Sequence, residues 1–458
     1  MEYGIFCLVP VLVVLIVAVW TKDTFISLIA GTIVGFLMLA KGMPLKAFGS
    51  FVKSLYDTMM DEDTVWVLML CALFGALIAL LTASGGVMGF SKLAQKFIRG
   101  RKSSMITTWV LGIIVFVDDY LNCLAVGAAT RDLTDKHKVS REMLAYIVNS
   151  TGVTVCAIVP ISTWGGFMGG LMKEADMAGG LAVTPAYLHS IPFVLYGWFA
   201  VIMVPLFCSG IIPLFGPMKK AQKRALETGE VFSKVSKDAL VELPDEEKMF
   251  EGMKCRALNF ILPLVAVAAL AIITDDIING LFAAILLCFI MYLPQKLLNL
   301  KTFMAAAIKG FSEMFPLLIL IILAYAFMDC NSQLGLTDFV INAAVGTLHP
   351  ALLPVLIFVV IGLLSFASGS FWGLAILAFP IVAPVAAAMN LSPFLCSGAI
   401  ISAVCFGGHI CLYSDTVILT AASTQVTNYD YFRSSLPLIA VPFGLSAVGF
   451  LVLGLVMA

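Results

Sequence analysis

The stretch VFVDDYLNCL, Val115–Leu124, places two adjacent carboxylates, Asp118 and Asp119, at the end of an apolar run. Those acids sit either on a soluble domain or inside a membrane, and composition decides between the two. Of the 458 residues, 61% are hydrophobic and 12% charged, whereas a soluble domain is about 25% charged. Mean hydropathy is +1.04. Apolar runs of about 17–20 residues, enough to cross a hydrocarbon core of about 30 Å as a helix, recur along the whole sequence. The chain reads as an all-α polytopic membrane protein whose functional groups lie in or beside the bilayer.

The same figures exclude other classes. A net charge of -1 and a pI near 6.4 give no basic surface for nucleic acid. Eleven cysteines stand singly, all but Cys255 within apolar segments, with no CxxC pair. They read as small hydrophobic side chains rather than disulfides or metal ligands, and no cofactor is expected. The first segment, Tyr3 to Trp20, lacks the basic start and small-residue cleavage site of a signal peptide, so it is expected to stay as a transmembrane helix.

Crossings are predicted at 4–20, 24–40 and 64–82, the last two joined by an amphipathic stretch with Leu45, Phe48, Phe51, Val52 and Leu55 on one helical face. The order recurs at 257–274, 277–293 and 314–332, where KTFMAAAIKGF from Lys301 resembles KAFGSFVKSL from Lys46. Later landmarks keep similar spacing: Gly86 and Phe90 against Gly335 and Phe339, VSREML from Val139 against LSPFLC from Leu391, and VTPAYLHSIP from Val183 against VTNYDYFRSSLP from Val426. Matches in one order predict two copies of one unit, at 1–215 and 257–458, divided by a hydrophilic cytoplasmic linker at 216–256.

Lysine and arginine placement orients the copies, because these residues are retained on the cytoplasmic side. Lys92, Lys96, Arg99, Arg101 and Lys102 precede the VFVDDY segment, and Arg131, Lys136, Lys138 and Arg141 follow it. The residues between are therefore predicted to form a re-entrant hairpin with its tip near Asp118 and Asp119. No Lys or Arg occurs between Lys309 and Arg433, so the equivalent hairpin, at 351–389 with tip SFASGSFWG, is predicted to enter from outside. Each repeat then has five crossings, a re-entrant hairpin and a broken helix, and the two run in opposite directions. Inverted repeats with broken helices characterise secondary transporters, whose sites lie near the midplane.

The broken helices are read from polar and helix-breaking residues. NSTGVTVCAIVPISTWGG supplies Asn149, Ser150, Thr151, Ser162 and Thr163; FGGHICLYSDT supplies His409, Ser414, Asp415 and Thr416. The repeat alignment pairs Ser162–Thr163 with Ser414–Asp415 and predicts that the breaks meet around a pseudo-twofold axis. Irregular backbone in a membrane is tolerated only where protein or a water-filled cavity covers it, so the breaks mark a buried site. Freed carbonyls, hydroxyls and a carboxylate suit a small hard cation such as Na+, while half-helix N-termini could instead hold an anion. Ser368 and Ser370, at the second hairpin tip, suit a substrate carboxylate.

A charged Asp at the bilayer centre costs roughly 2.5–3.5 kcal/mol on insertion scales. A bound cation or a proton relieves that charge, and their competition suffices for exchange if the protein moves only when the site is neutralised. Asp118 and Asp415, one from each half, are the expected cation carboxylates. Adjacent helical residues point about 100° apart, so Asp118 and Asp119 are expected to divide two jobs, binding the ion and holding the tip, without the sequence saying which does which. His409 reads as a titrating group or a structural hydrogen-bonder, and Asp329 as a helix cap or a second proton site. Asp275 and Asp276 read as solvated turn residues, and GGFMGG, Gly165 to Gly170, as close helix packing.

At these residues the sequence resembles the NhaC sodium/proton antiporter family. VDDYLNCLAVGAATRDLTDKHKVSREMLAYIVNSTGVTV is similar to the family's FDDY segment with its basic loop and following polar element, and YSDT from Tyr413 is similar to its SDT signature. The resemblance implies a scaffold built from the early helices of each half, a mobile part built from hairpins and broken helices, and a homodimer moving as an elevator in a bacterial inner or plasma membrane. It also implies ion-site residues Asp118, Asp119, Asn122, Asn149, Ser150, Thr151, Ser414, Asp415 and Thr416. One departure stands out: the family often reads G-D-H before SDT, where this chain has Gly407-Gly408-His409.

These readings converge on a Na+-coupled transporter rather than an enzyme, with Na+/H+ antiport first and movement of a small organic acid or amino acid second. An intramembrane aspartyl hydrolase is disfavoured, since the sequence has no GxGD paired with a YD motif, no HExxH and no GxSxG. A channel is disfavoured because hairpins in inverted repeats suit alternating access.

Overall fold

The computed structural model describes residues 3–21, 24–86, 88–89, 98–238, 256–274, 276–336, 339, 349–369, 371–412 and 414–457. Among them every regular element is a helix. After a 3-10 turn at Gly4–Leu8, the first half runs α1 (Val9–Thr21), α2 (Thr24–Leu39), α3 (Pro44–Met60), α4 (Glu62–Ala83), α5 (Arg101–Ile114), α6 (Asp119–Lys136), α7 (Arg141–Ile158), α8 (Thr163–Glu174), α9 (Val183–Ser190) and α10 (Leu195–Ser209). Two linker helices follow, α11 (Gly216–Thr228) and α12 (Lys234–Asp238). The second half runs α13 (Leu258–Thr274), α14 (Ile277–Tyr292), α15 (Leu300–Gln333), α16 (Leu353–Ser368), α17 (Phe371–Ala388), α18 (Pro393–Ile410), α19 (Asp415–Thr424) and α20 (Asn428–Met457).

Six helices among the described residues are long and apolar enough to cross a membrane, or nine when each bent pair counts as one span. The expected crossings fall on α1, α2, α4, α13, α14 and the second part of α15. Large apolar side chains on their outer faces, such as Ile16, Ile33, Phe282 and Ile290, are exposed, as lipid contact requires. Ten described cysteines are buried and form no disulfide among the described residues, in keeping with their reading as small hydrophobic side chains.

The halves differ where the amphipathic connector meets the crossing. In the first half Asp61 stops α3 in an extended conformation, and its side chain accepts from the Thr64 amide at 2.7 Å to start α4. In the second half the same pair is one helix of 34 residues, α15, with Pro316 inside it. Nothing there caps a new start. The connector α3 turns 117° from α2, buries Ala47 and Ser54, and leaves Leu45 and Phe48 exposed.

The helices pack in two groups. One joins α1–α4 with α13–α15; the other joins α5–α10 with α16–α20. Within the first group α4 and α15 approach backbone to backbone: a Cβ on Gly310 would lie 2.1 Å from the Gly75 carbonyl oxygen. Between the groups, α8 lies on α4. The GGFMGG run makes that approach possible, since a Cβ on Gly166 would meet Leu70 at 2.2 Å.

The second group contains the hairpins and broken helices, and their elements fall in step. The helices α7 and α18 each have 18 residues and begin at a serine cap, Ser140 accepting from the Met143 amide and Ser392 from the Leu395 amide. The next helix opens five residues after the end of each, at Thr163 in one half and Asp415 in the other. The hairpin tips fall at Val115–Asp118 and at Gly369, which has φ +71°. With 14 residues, α5 spans about 21 Å, too short for the hydrocarbon core and long enough for a re-entrant arm.

Several readings change. The glycine that ends α4 as Gly335 ends α15 is Gly85, not Gly86; both have positive φ, and each donates its amide to the carbonyl three residues back. Asp276 is not simply solvated: it caps α14 through the Ile278 amide and accepts from the Trp66 indole. Asp329 accepts from Ser54 at 2.8 Å and from Gln333 at 3.0 Å, which joins α3 to α15. Lys92, Lys96, Phe90, Asp275, Ser370 and Tyr413 lie outside the described residues.

Candidate ion and substrate site

Three consecutive residues at the start of α6 reach both breaks. Asp118 caps α6: its Oδ1 accepts from the Leu121 amide at 2.9 Å, and its Oδ2 from the Thr163 hydroxyl at 3.2 Å, at the first break. The Thr163 amide in turn donates to the Val117 carbonyl at 3.1 Å. Asp119 Oδ2 accepts from the Trp164 indole at 3.0 Å. Tyr120 donates its hydroxyl to Asp415 Oδ2 at 3.0 Å, at the second break. The first turn of a helix thus bridges elements more than 40 residues apart on one side and almost 300 on the other. The broken helices meet directly where Asn149 and Ser150 bond to His409, and the first turn of α6 adds a second link between the two breaks.

Burial separates the acids. Asp118 and Asp119 are 5% and 1% exposed, while Asp415 is exposed. Asp119 and Asp415 both lie in the first turn of a helix, where the N-terminal dipole favours negative charge by about 0.3–1 kcal/mol. That contribution offsets only part of the cost of placing charge in a membrane.

An aromatic cluster closes the space beside them. Trp164 of α8 stacks on Phe371 at 5.5 Å and lies 5.2 Å from Trp372, both at the start of α17; Phe167 meets Trp372 edge-on at 4.6 Å. The Trp372 indole donates to the Tyr120 hydroxyl at 3.4 Å. One indole therefore serves Asp119, and the other serves Asp415 through Tyr120. Sequence reasoning passed over Tyr120, Trp164 and Trp372. The signal available was position, since Tyr120 and Trp372 each follow the first residue of a helix that opens at a hairpin tip.

The carbonyls freed at the breaks are largely taken by the protein itself. The last carbonyls of a helix have no intrahelical partner. Ser162 donates to the Cys156 carbonyl at 2.7 Å, and Ser414 repeats that contact to Gly408 at 3.0 Å, joined there by Thr416 at 2.8 Å. Tyr187 covers the Ala157 carbonyl at 2.7 Å. Ser162, Ser414 and Thr416 thus stabilise the breaks, and their hydroxyls are turned to main chain.

Asn149, Ser150 and His409 form a separate buried network. Asn149 donates to the His409 carbonyl and to the Tyr431 hydroxyl, both at 2.8 Å. Both imidazole nitrogens of His409 are engaged, Nε2 with Ser150 at 2.9 Å and Nδ1 with Tyr196 at 2.7 Å. Its structural reading therefore fits the geometry. Thr151 bonds back to the Ile147 and Val148 carbonyls. Asn122 donates to the Gly112 and Val115 carbonyls at 2.6 and 2.8 Å, tying α5 to α6, and its buried Oδ1 has no partner among the described residues. Ser368 ends α16.

Among the described residues no three His, Cys, Asp or Glu side chains converge. A small cation here would rely on carboxylates from α6 and α19 with other oxygen donors, the ligand type that hard cations take.

One face of this group is strapped by the linker. Arg141, buried, pairs with both oxygens of Asp135, donates to the Thr424 carbonyl at 2.7 Å and lies 4.6 Å over the Phe232 ring. Arg224 of α11 pairs with both oxygens of Glu142 at 2.9 and 3.0 Å.

An all-helical fold with several apolar helices long enough to cross a membrane and bent or broken pairs among them is that of a polytopic membrane protein. The sequence pattern of the Na+/H+ antiporter family matches residues 155–455, and the chain belongs to that family. The expected kinship is thereby borne out, and the protein is a transporter rather than an enzyme. An uncharacterized protein of Haemophilus influenzae is 27% identical, covering 98% of this chain and 91% of its own length. Two solved structures share the fold. The YdaH transporter of Alcanivorax borkumensis is 13% identical, with 91% of this chain and 90% of that one covered and a TM-score of 0.60. MtrF of Neisseria gonorrhoeae, which represents a class of antimetabolite efflux pumps, is 15% identical, with 91% and 85% covered and a TM-score of 0.54.

Proposed function

We propose that this protein is a Na+-coupled secondary active transporter, with Na+/H+ antiport as its first activity. The observation that carries the reading is the row Asp118-Asp119-Tyr120, which brings the acids of one half to the Asp415 break of the other. Asp118, with both oxygens committed to the cap and to Thr163, holds the hairpin tip. Asp119 and Asp415 are then the carboxylates for the cation, which moves the ion from the expected Asp118 to its neighbour.

The packing in two groups supports an elevator, in which α5–α10 with α16–α20 move against a scaffold of α1–α4 with α13–α15. The matched lengths, serine caps and breaks support two repeats, and the lysine and arginine pattern supports their inversion. We place the protein in a bacterial inner membrane as a homodimer. A second reading, Na+-linked movement of a small organic acid or amino acid, is favoured by the aromatic cluster of Trp164, Phe371 and Trp372 beside the acids and by the cargo class of MtrF.

Proteoliposomes carrying a pH-sensitive dye separate the two. A Na+ gradient alone should drive proton flux in the wild type, and Asp415→Asn should abolish it. Flux that needs an added organic acid or amino acid would establish the second reading instead. Flux unchanged in Asp415→Asn would remove that residue from the site.

A further inference from the structure

We propose that Tyr120, oriented by Trp372, is a positioning residue that occupies Asp415 until a cation arrives, and so sets the cation affinity of the site. The inference rests on the Na+ reading above. A phenol has one proton to donate and lone pairs to accept with, whereas an indole nitrogen only donates. Trp372 donates to the phenol oxygen, so the single phenol proton is directed to Asp415 Oδ2. Rotation of Trp372 is opposed by rings on several sides: Trp164 at 5.2 Å, Phe371 at 4.9 Å and Phe167 at 4.6 Å. Two of those rings belong to the first broken helix. The direction of the Tyr120 proton is therefore fixed by elements of both halves.

Asp415 is the exposed acid of the three, and the neighbouring Ser414 and Thr416 hydroxyls are turned to the Gly408 carbonyl. A cation that takes Asp415 through Oδ2 competes with the phenol proton there. Binding then frees Tyr120, and with it the partner of Trp372, so occupancy at the second break is felt in the ring cluster against the first. Asp119, one residue from Tyr120 and held by Trp164, lies within the same chain of contacts.

The test is Tyr120→Phe, which keeps the ring and removes the hydroxyl, with Trp372→Phe as a second variant that removes the indole donor. Two quantities are read: the Na+ concentration giving half-maximal proton flux in proteoliposomes, and the change in tryptophan emission as Na+ is added to purified protein. Loss of a hydrogen bond to a charged group should lower half-saturating Na+ about tenfold in Tyr120→Phe and by a smaller factor in Trp372→Phe. The Na+-dependent emission change should shrink in Tyr120→Phe although all six tryptophans remain. Half-saturation that is unchanged or raised in both variants would overturn the proposal, a rise marking Tyr120 as a ligand instead. A wild type with no Na+ response in either measurement fails at the control, overturning the Na+ reading and this role together.

Discussion

The Asn149 amide donates to the main-chain carbonyl of His409 at 2.8 Å, joining α7 of one half to the last turn of α18 in the other. The Tyr431 hydroxyl makes a 2.6 Å bond to the same carbonyl. Asn149→Ala removes one of two donors and leaves Tyr431 without its amide partner, at a cost of about 1–3 kcal/mol. A lowered midpoint of thermal unfolding in detergent is the expected result, and an unchanged one would show that the network does not hold the halves together.

Asp118 and Asp119 should respond differently to the same change. Asn is as good a helix cap as Asp, so Asp118→Asn should keep the tip folded and retain transport. Asp119→Asn keeps an acceptor for Trp164 but loses the charge, and should abolish Na+-dependent flux. Proteoliposome assays on the two variants, side by side, check this; the reverse pattern would return the ion to Asp118.

Gly310→Ala tests the scaffold crossing. The added Cβ would fall 2.1 Å from the Gly75 carbonyl oxygen and 2.8 Å from the Ala76 Cα, both backbone. No rotamer change relieves such a clash, so α4 and α15 must separate. Overpacking of this kind costs about 1–3 kcal/mol, and should appear as reduced yield of folded protein and a lower unfolding midpoint. A Gly49→Ala control, whose Cβ meets nothing within 4 Å, should be silent.

Arg141→Ala tests the linker strap. It strands Asp135 and the Thr424 carbonyl and removes the cation from the Phe232 ring. Breaking a buried pair costs about 3–5 kcal/mol, and the side chain of Asp135 is 26% exposed, so about 2–3 kcal/mol is expected. Protease access to the linker at α12 should rise with it, measurable as faster cleavage of the folded protein.

Much of the fold was legible because the membrane writes it in hydropathy. The crossings at 24–40, 64–82, 257–274 and 277–293 match helices to within a residue or two, and one helix gives way to the next inside both stretches read as tips, between Ile114 and Asp119 and between Ser368 and Phe371. The site was legible by element and less so by role. Acids and hydroxyls in apolar segments stand out, so Asp118, Asp119, Ser162, Ser414 and Asp415 could be named. Aromatic rings do not stand out there, and Tyr120, Trp164 and Trp372 gain significance only when folding brings distant segments together. His409 and Asn149 looked like ligands because sequence shows polarity but not the partners that satisfy it. Carbonyls freed at the breaks were expected to be offered to an ion, yet hydroxyls and an amide from Ser414, Thr416, Tyr431 and Asn149 already occupy those of Gly408 and His409.

The turn at Asp118–Tyr120 also constrains how this chain can change over generations. The same number of residues separates Asp119 from Thr163 as separates Phe371 from Asp415, and the bridge works only if α6 begins where it does. Between those points an exchange of one apolar residue for another alters little, whereas a single insertion or deletion rotates everything beyond it and pulls the acids away from the breaks. Length, more than composition, is what heredity must guard there.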